Sequence, residues 1–286
     1  MMMMTAKTAL ECSRRIGVCS WSLEPTSPED LAQKMKQTGL RFVQLALDPL
    51  RTGAWDPDQT MAVLKEAGII VVSGMMAMKG EDYSTLESIK ITGGVRPDEH
   101  WDANMAAAGE NAQLARRYGI QLITFHAGFI PHSANDPLRA IMIDRLRQLL
   151  DIFDRHGVRA AFETGQETAG TLLEVLEDIG HDEVGVNFDP ANMILYAMGN
   201  PVEALTRLAP RVYQVHIKDA VKTKTAGTWG AEVVAGTGDV HWQSFFGTIK
   251  ELDIKCDLII EREAGDQRVA DVIVARDLIV PSAACL

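Results

Sequence analysis

The sequence predicts an α/β protein that folds as a single-domain (β/α)8 TIM barrel. Eight short β-rich segments alternate with longer segments of helical periodicity along the 286 residues. The predicted strands are nearly continuous apolar runs, as parallel strands buried on both faces require. The length also fits, because α/β barrels reach about 250 residues as one domain. We expect residues 14–280 to form the barrel and residues 1–13 to be a disordered N-terminal segment.

Each element is predicted from its local pattern. In the helical segments apolar residues recur with the 3.6-residue period, most clearly between Leu138 and Arg155. The predicted helices are Pro28–Gln37, Met61–Ala67, Asn104–Tyr118, Leu138–Arg155 and Thr171–Ile179. The predicted strands are Ile16–Ser20, Phe42–Ala46, Ile69–Ser73, Gln121–His126, Arg159–Glu163, Val184–Asp189, Val212–Ile217 and Asp257–Glu261.

The ends of the predicted helices carry their own signals. Gly39, Gly68, Gly119 and Gly157 each follow a helical segment and precede a strand. Glycine adopts the left-handed conformation of a helix stop without steric cost, so these residues predict helix ends. Ser27 is predicted as a helix cap, because proline and two acidic residues follow it directly.

A doubly wound sheet is the main alternative fold. Its phosphate-binding GxGxxG motif follows the first strand, but the segment Gly17–Trp21 contains none. The pair of glycines in Gly236-Thr237-Gly238 occurs too late in the chain to support that fold. In the predicted TIM barrel, the long segment Lys218–Val240 is a βα loop on the face that holds the active site.

Composition restricts the partners of this protein. The chain has 28 Lys and Arg against 39 Asp and Glu, and a formal net charge of −11. Because an acidic surface repels phosphate backbones and anionic lipids, we expect no nucleic acid and no membrane as partners. The four cysteines form no CxxC pair, and no apolar run has signal-peptide or membrane-span length. We expect a cytoplasmic protein with reduced thiols that acts on a small molecule.

Polar residues stand at the ends of four consecutive predicted strands. Glu163, Asp189, His216 and Glu261 end or closely follow the fifth to eighth strands. In a TIM barrel these ends converge on the active-site mouth, where neighbouring strands can share one ion. Singly, a glutamate at a strand end is usually solvated and a histidine usually serves the core. Four of them at equivalent positions favour a metal site.

The donor set indicates the type of metal. Three carboxylates and one imidazole suit Mn²⁺, Co²⁺, Mg²⁺ or Zn²⁺, and we expect no thiolate to join them. The carboxylates carry a formal charge of −3 against +2, so the site can retain one basic oxygen while a bound carbonyl is polarised. We expect one divalent ion per chain, with Mn²⁺ as the first choice.

These residues resemble a known family. The segments FETG, NFDPAN, VHIKD and IERE, together with GTGDV at 236–240, are similar to the sugar phosphate isomerase/epimerase group of xylose isomerase-like barrels. The resemblance covers essentially the whole chain. It implies that Glu163, Asp189, His216 and Glu261 hold a metal, and that the two glutamates exchange a substrate proton in catalysis. Barrels of this group often dimerise, so the resemblance also implies a homodimer.

The sequence departs from ketose 3-epimerases where those enzymes contact the substrate. Asn192 stands where many have a histidine, and Lys222 stands where they place an arginine. Ala169 replaces a second glutamate, although Glu167 lies nearby. These differences argue against a free ketose as substrate. We take Asn192 and Lys222 as candidate substrate-binding residues.

Three further residues are candidates for binding a carbohydrate substrate. His126 ends the predicted fourth strand and can bond a sugar hydroxyl or serve the structure alone. Lys218 can contact substrate or pair with Asp219. Trp21 can line the sugar-binding mouth, although core packing is the more common role of such a tryptophan. Arg262 and Glu263 are adjacent and can pair with each other.

The combined prediction is a metal-dependent isomerase or epimerase of a sugar, sugar phosphate or related keto compound, acting through an enediolate. A dehydratase or eliminase of a keto-inositol or a 3-keto-glycoside would remove the same kind of proton and remains open. An apurinic-site endonuclease is less favoured, because it needs more histidines and a basic surface. A non-catalytic sugar-binding barrel is disfavoured by the complete ligand set.

Overall fold

The computed structural model describes residues 14–225 and 227–283, which form a closed barrel of eight parallel strands. The strand order around the barrel is β1-β10-β7-β6-β5-β4-β3-β2, so consecutive βα units lie side by side. The predicted single-domain (β/α)8 fold is therefore confirmed. The prediction of disorder for residues 1–13 lies outside the described residues.

The barrel strands agree with the sequence prediction to within a few residues. They are β1 (Ile16–Cys19), β2 (Phe42–Ala46), β3 (Ile70–Met75), β4 (Leu122–Phe125), β5 (Arg159–Glu163), β6 (Val184–Phe188), β7 (Val212–Ile217) and β10 (Asp257–Ile260). The largest difference is at β3, which extends to Met75 rather than ending at Ser73. Asp189 follows β6 and caps the next helix, so it is not the last strand residue as predicted.

Eleven helices are present within the described ranges, and they surround the barrel and its mouth. They are α1 (Pro28–Thr38), α2 (Asp48–Arg51), α3 (Pro57–Glu66), α4 (Leu86–Thr92), α5 (Asp98–Tyr118), α6 (Pro137–Arg155), α7 (Ala169–Ile179), α8 (Pro190–Leu195), α9 (Pro201–Leu208), α10 (Trp242–Glu251) and α11 (Arg268–Ala283). In the described parts of the chain, no helix combines the length and apolar character needed to cross a membrane.

The predicted helix signals are confirmed. Ser27 accepts a hydrogen bond from the Asp30 N–H and caps α1. Gly39 ends the same helix with φ 72°, a left-handed conformation that a residue with a Cβ adopts only with strain. The apolar stripe of α6 is buried, with Met142, Leu146 and Leu149 fully inside.

The segment that was predicted as a long loop contains a hairpin. Strands β8 (Asp219–Val221) and β9 (Ala231–Val233) pair antiparallel beside the barrel mouth. The sequence pattern did not predict this hairpin, because each of its strands has only three residues.

A layer of polar side chains fills the barrel interior below the mouth. Gln214 donates to Gln44 Oε1 at 2.9 Å and accepts from Ser73 Oγ at 2.6 Å. Gln44 in turn donates to Thr124 Oγ1 at 2.7 Å. TIM barrel interiors are usually filled by branched apolar residues. Here the hydrogen-bonded layer gives the residues above it a fixed polar support.

Candidate metal centre and active-site cavity

The four polar residues at the strand ends meet in one cluster. His216 Nδ1 lies 3.3 Å from Glu261 Oε2, 3.5 Å from Glu163 Oε1 and 3.8 Å from Asp189 Oδ2. One ligand atom from each residue lies within 4.8 Å of the other three, and all four side chains are buried. The structure thus brings together the whole set that the sequence singled out.

The local fold aims each side chain at this point. Glu163 ends β5, and His216 is the penultimate residue of β7. Glu261 directly follows β10, and Asp189 directly follows β6. The Asp189 Oδ1 atom accepts the Asn192 N–H at 2.9 Å and caps α8, which leaves Oδ2 directed at the cluster.

Two buried atoms in the cluster have no hydrogen-bond partner among the described residues. They are His216 Nδ1 and Asp189 Oδ2. His216 Nε2 lies 2.7 Å from Gln44 Oε1, which can only accept, so Nε2 carries a proton and Nδ1 is the ring nitrogen that can offer a lone pair to an ion. Three carboxylates around such a nitrogen are an arrangement that a divalent cation satisfies. The residues present therefore fit a metal ion.

Hydrogen bonds hold the two glutamates in place. Asn192 Nδ2 donates to Glu163 Oε1 at 2.9 Å, and Asn187 Nδ2 lies 3.3 Å from Oε2. Trp21 Nε1 donates to Glu261 Oε1 at 2.9 Å, and Lys218 Nζ donates to Oε2 at the same distance. Asn192 thus orients a predicted ligand, although the sequence analysis considered it only for substrate contact.

The charges of the cluster favour the ionised glutamates. Burial opposes ionisation of Glu261, but Lys218 and His216 outweigh it and hold the pKa of Glu261 well below its usual range. Burial likewise opposes ionisation of Glu163, but His126 and His216 lower its pKa. For His216, burial is outweighed by the charges of Glu261 and Glu163, so its pKa lies well above the ordinary value. A metal ion at Nδ1 would displace this proton.

A thiol lies beside the cluster, contrary to the sequence-based expectation. Cys19 Sγ is 3.6 Å from His216 Nε2 and 3.4 Å from Gln44 Oε1. Burial raises the pKa of the Cys19 thiol far above its usual value, so the sulfur stays protonated. It also contacts Nε2 rather than the ring nitrogen that faces the carboxylates. Cys19 and Cys256 are free thiols, as predicted, while Cys12 and Cys285 lie outside the described residues.

A cavity of about 750 Å³ opens above the cluster. Four of the five predicted substrate-binding residues line it, namely Trp21, His126, Asn192 and Lys218. The fifth, Lys222, is exposed and lines a smaller pocket beside Met193 and Asp239. His126 Nε2 lies 3.8 Å from Glu163 Oε1, which places the imidazole between the cluster and the cavity.

Two ion pairs suggested by sequence proximity are replaced by long-range ones. Lys218 does not pair with Asp219 but bonds Glu263 Oε2 at 2.5 Å in addition to Glu261. Arg262 does not pair with Glu263, because its guanidinium binds Glu232 at 2.7 Å and Asp271 at 2.9 Å.

Several residues of the cavity were missed by the sequence analysis. They follow β2, β3 or β10, lie near the end of α8 or belong to the hairpin, and no strand-end pattern marks them. They are Asp48, Glu81, Tyr83, Leu195, Tyr196, Trp229, Glu232 and Glu263. The one available signal was the length of the segment Lys218–Val240, which predicted a functional loop without identifying its residues.

The buried carboxylate of Asp219 organises the loop after the hairpin. Its Oδ2 accepts the N–H groups of Gly236 and Gly238 at 2.8 and 3.0 Å, and the Trp242 indole N–H at 2.9 Å. Its Oδ1 accepts the N–H of Val240 at 3.2 Å. Gly238 packs so closely that a Cβ there would lie 2.2 Å from Oδ1. Asp219 is therefore structural, and it ties the loop to β8.

Comparison with known proteins gives a consistent result. Residues 21–278 match the family described as the xylose isomerase-like TIM barrel. A xylose isomerase domain protein from Planctomyces limnophilus has a similar structure, with TM-score 0.82, 32% identity and coverage of 87% of this chain and 91% of that one. A D-allulose 3-epimerase from Methylomonas sp. in complex with D-allulose shares the fold, with TM-score 0.69, 15% identity and coverage of 93% and 96%.

A curated relative has a different reaction in its name. An inosose dehydratase of Geobacillus kaustophilus (strain HTA426) is 26% identical over 179 residues. The match includes 58% of this chain but spans only 46% of the dehydratase. Proteins similar to this chain thus include both sugar epimerases and a dehydratase of a sugar-like substrate.

The Asp219→Asn variant tests the role of the loop anchor. Because the amide carries no charge and its NH₂ group would face backbone donors, we expect the free energy of unfolding to fall by about 3 kcal/mol. Urea denaturation measures this value. The control is Asp151→Asn, which removes an exposed carboxylate on α6 and should change stability by less than about 0.5 kcal/mol. Equal stability of the two variants would contradict the assignment.

Glu167 gives the stability a defined pH dependence. Burial raises the pKa of Glu167 to about 8, against the lowering effects of the Ile130 N–H bond and His126. The folded protein therefore binds a proton that the unfolded chain releases near pH 4.5. The contribution of Glu167 to stability is intact below pH 4.5 and is lost as the pH rises towards 8, by at most about 1.4 kcal/mol per pH unit.

The Glu167→Gln variant isolates this contribution, since the glutamine oxygen can still accept the Ile130 N–H. We expect the difference in unfolding free energy between the variant and the wild type to grow in favour of the variant from pH 5 to pH 8. Urea denaturation at several pH values provides the measurement. Parallel stability curves for the two proteins would show that Glu167 is not buried as a neutral acid.

Proposed function

The chain belongs to the xylose isomerase-like TIM barrel family, and we propose that it is a divalent-metal-dependent isomerase or epimerase of a carbohydrate keto compound. The observation that carries this proposal is the buried cluster of three carboxylates and the His216 imidazole below a ligand-sized cavity. The similarity to sugar epimerases supports the choice of substrate.

In this proposal Glu163, Asp189, His216 and Glu261 hold one divalent ion. Mn²⁺ is the first choice, and Co²⁺, Mg²⁺ or Zn²⁺ also suit three oxygen donors and one nitrogen donor. When bound, the ion would polarise a substrate carbonyl and stabilise the charge that develops on its oxygen during proton removal. The hydrogen bond from His216 Nε2 to Gln44 supports binding, because it fixes the ring orientation and the tautomer.

The two glutamates are proposed as the proton-transferring residues. The lowered pKa values of Glu163 and Glu261 keep both carboxylates ionised near neutral pH, as a general base must be. One would remove the proton next to the carbonyl, and the other would return a proton to the same or the neighbouring carbon. Asn192 orients the Glu163 carboxylate and Trp21 orients the Glu261 carboxylate, so the two carboxylates are positioned independently.

The substrate hydroxyls are proposed to contact the polar residues of the cavity. His126 lies within reach of the Glu163 carboxylate and has a buried Nδ1 atom without a partner in the described part of the chain. Lys218 places a positive charge next to Glu261, where it can stabilise negative charge on a substrate oxygen. Trp21 offers an indole that is partly exposed to the cavity and fixed by its bond to Glu261.

Dehydration or elimination on a keto-inositol or a 3-keto-glycoside is the second candidate. It begins with the same proton removal but ends with the loss of a neighbouring hydroxyl or alkoxyl group. The His126 imidazole favours this alternative, since a polar group at the cavity wall could donate a proton to that leaving group. The inosose dehydratase relative supports it as well.

Solvent deuterium exchange tests the enediolate chemistry. We expect the wild type with Mn²⁺ to incorporate deuterium next to the carbonyl of at least one compound in a panel of ketoses, keto-glycosides and keto-cyclitols. The variants Glu163→Gln and Glu261→Gln should each lose about 10²–10⁴-fold in rate, because each removes one general acid–base group. The matched control is Glu177→Gln, which changes an exposed residue of α7 and should exchange at the wild-type rate. Absence of exchange by the wild type with every compound would refute the proposal.

Metal analysis tests the ligand set separately. We expect about one ion per chain in protein that has been loaded with Mn²⁺ and desalted. At a hundredfold excess of Mn²⁺ over its Kd, the unfolding free energy should rise by about 2.7 kcal/mol, because the ion binds the folded state alone. Asp189→Asn should lose both effects, whereas the exposed control Asp154→Asn should keep them. About three ions per chain would favour a nuclease, and none would favour a non-catalytic sugar-binding barrel.

A further inference from the structure

The cavity above the cluster offers a substrate no unpaired lysine or arginine from its described lining. Its lining includes the carboxylates of Asp48, Glu81, Glu232 and Glu263, and Lys218 is the one lysine or arginine among the lining residues that the structure describes. Asp48 and Glu232 pair with Arg51 and Arg262, and Lys218 is already engaged, since Nζ bonds Glu261 at 2.9 Å and Glu263 at 2.5 Å. A phosphate group would therefore lose its hydration in a partly buried site without gaining an unpaired cation there.

One of the loops that usually bind phosphate in a TIM barrel has no free N–H group in this chain. Such sites are commonly built from the loops after the seventh and eighth strands, whose backbone N–H groups face the anion. In this chain the loop Gly236–Val240 follows the seventh barrel strand and the hairpin. Asp219 accepts three of its N–H groups, and the other two bond the carbonyls of Val234 and Ala220. No N–H group of this loop remains for a substrate anion.

The cavity wall formed by the hairpin and the end of α8 is apolar. The rings of Tyr196 and Trp229 meet edge to face with centroids 4.9 Å apart, and Leu195 lies beside them in the cavity lining. Tyr196 is 7% exposed and Trp229 is partly exposed, so the indole supplies most of the apolar face of this wall. This wall differs from the polar end of the cavity, where Trp21, Lys218 and Asn192 bond the glutamates.

The volume of the cavity also favours a substrate larger than one sugar ring. Its volume of about 750 Å³ lies in the upper part of the roughly 300–1,000 Å³ range of pockets that hold drug-sized ligands. A cavity in this range can hold a ligand larger than a single sugar ring.

We propose that the substrate is an uncharged carbohydrate in which a second ring, either a sugar or an aryl group, is attached to the ring that reacts. The reacting ring lies at the four predicted ligands, so this inference rests on the proposed function. The second ring packs on Tyr196 and Trp229. Sugar phosphates are disfavoured because Lys218, the lining cation, is already paired with Glu261 and Glu263, and free monosaccharides bind weakly because they leave the apolar wall unused.

Binding without turnover tests this substrate class. Four unreactive probes are titrated into the wild type with Mg²⁺ and followed by saturation-transfer NMR, namely D-glucose, D-glucose 6-phosphate, cellobiose and phenyl β-D-glucopyranoside. We expect at least one two-ring probe to bind about tenfold more tightly than glucose, and glucose 6-phosphate to bind more weakly than glucose. Cellobiose and the phenyl glucoside distinguish a sugar from an aryl second ring.

A variant of the aromatic wall locates the second ring. Trp229→Ala should lose about tenfold in affinity for the two-ring probe and leave glucose unchanged. Trp101→Ala is the control, because Trp101 lies on α5 and does not line the cavity. Should Trp229→Ala fail to fold, Tyr196→Leu makes the same test.

The outcomes separate this inference from the proposed chemistry. Binding of glucose 6-phosphate as tight as that of glucose, or no advantage of either two-ring probe, overturns the substrate class even if deuterium exchange is found. Probe binding as expected, together with no exchange in any keto compound, leaves the substrate class standing and refutes the isomerase or epimerase.

Discussion

The site depends on one physical constraint, namely that three buried carboxylates converge on a single imidazole nitrogen. Glu163, Asp189 and Glu261 lie too close together to be ionised without compensation. Lys218, Asn192 and Trp21 bond oxygens of the two glutamates, but His216 Nδ1 and Asp189 Oδ2 have no hydrogen-bond partner among the described residues. A buried anionic cluster with a nitrogen donor at its centre is stable when a cation binds there. The rest of the candidate site is arranged around that requirement.

The barrel interior serves the same requirement from below. Gln44 Oε1 accepts hydrogen bonds from His216 Nε2 and Gln214 Nε2. Gln44 Nε2 donates to Thr124, and Ser73 donates to Gln214. Apolar residues at these positions would stabilise the barrel more simply, but they would leave the imidazole free to rotate or change tautomer. The polar side chains of the inner strands thus fix the orientation of the His216 ring, and with it the position of Nδ1.

The sequence predicted the strand-end residues because their positions follow from topology. In a parallel barrel every strand ends at the same rim, so polar residues that follow apolar runs must meet there. Loop residues obey no such rule. Glu263 and Glu232 belong to the site through ion pairs with Lys218 and Arg262 that span 45 and 30 residues of sequence. Nothing in the local pattern distinguishes those partners from neighbours such as Asp219. Cys19 was missed because its position beside His216 depends on β1 closing against β10.

Anomalous scattering from crystals soaked in Mn²⁺ and measured at the manganese edge tests the central claim most directly. The account predicts one strong peak, about 2.0–2.2 Å from His216 Nδ1 and from oxygens of Glu163, Asp189 and Glu261. A peak bonded to Cys19, or no peak between the four residues at saturating Mn²⁺, would contradict it.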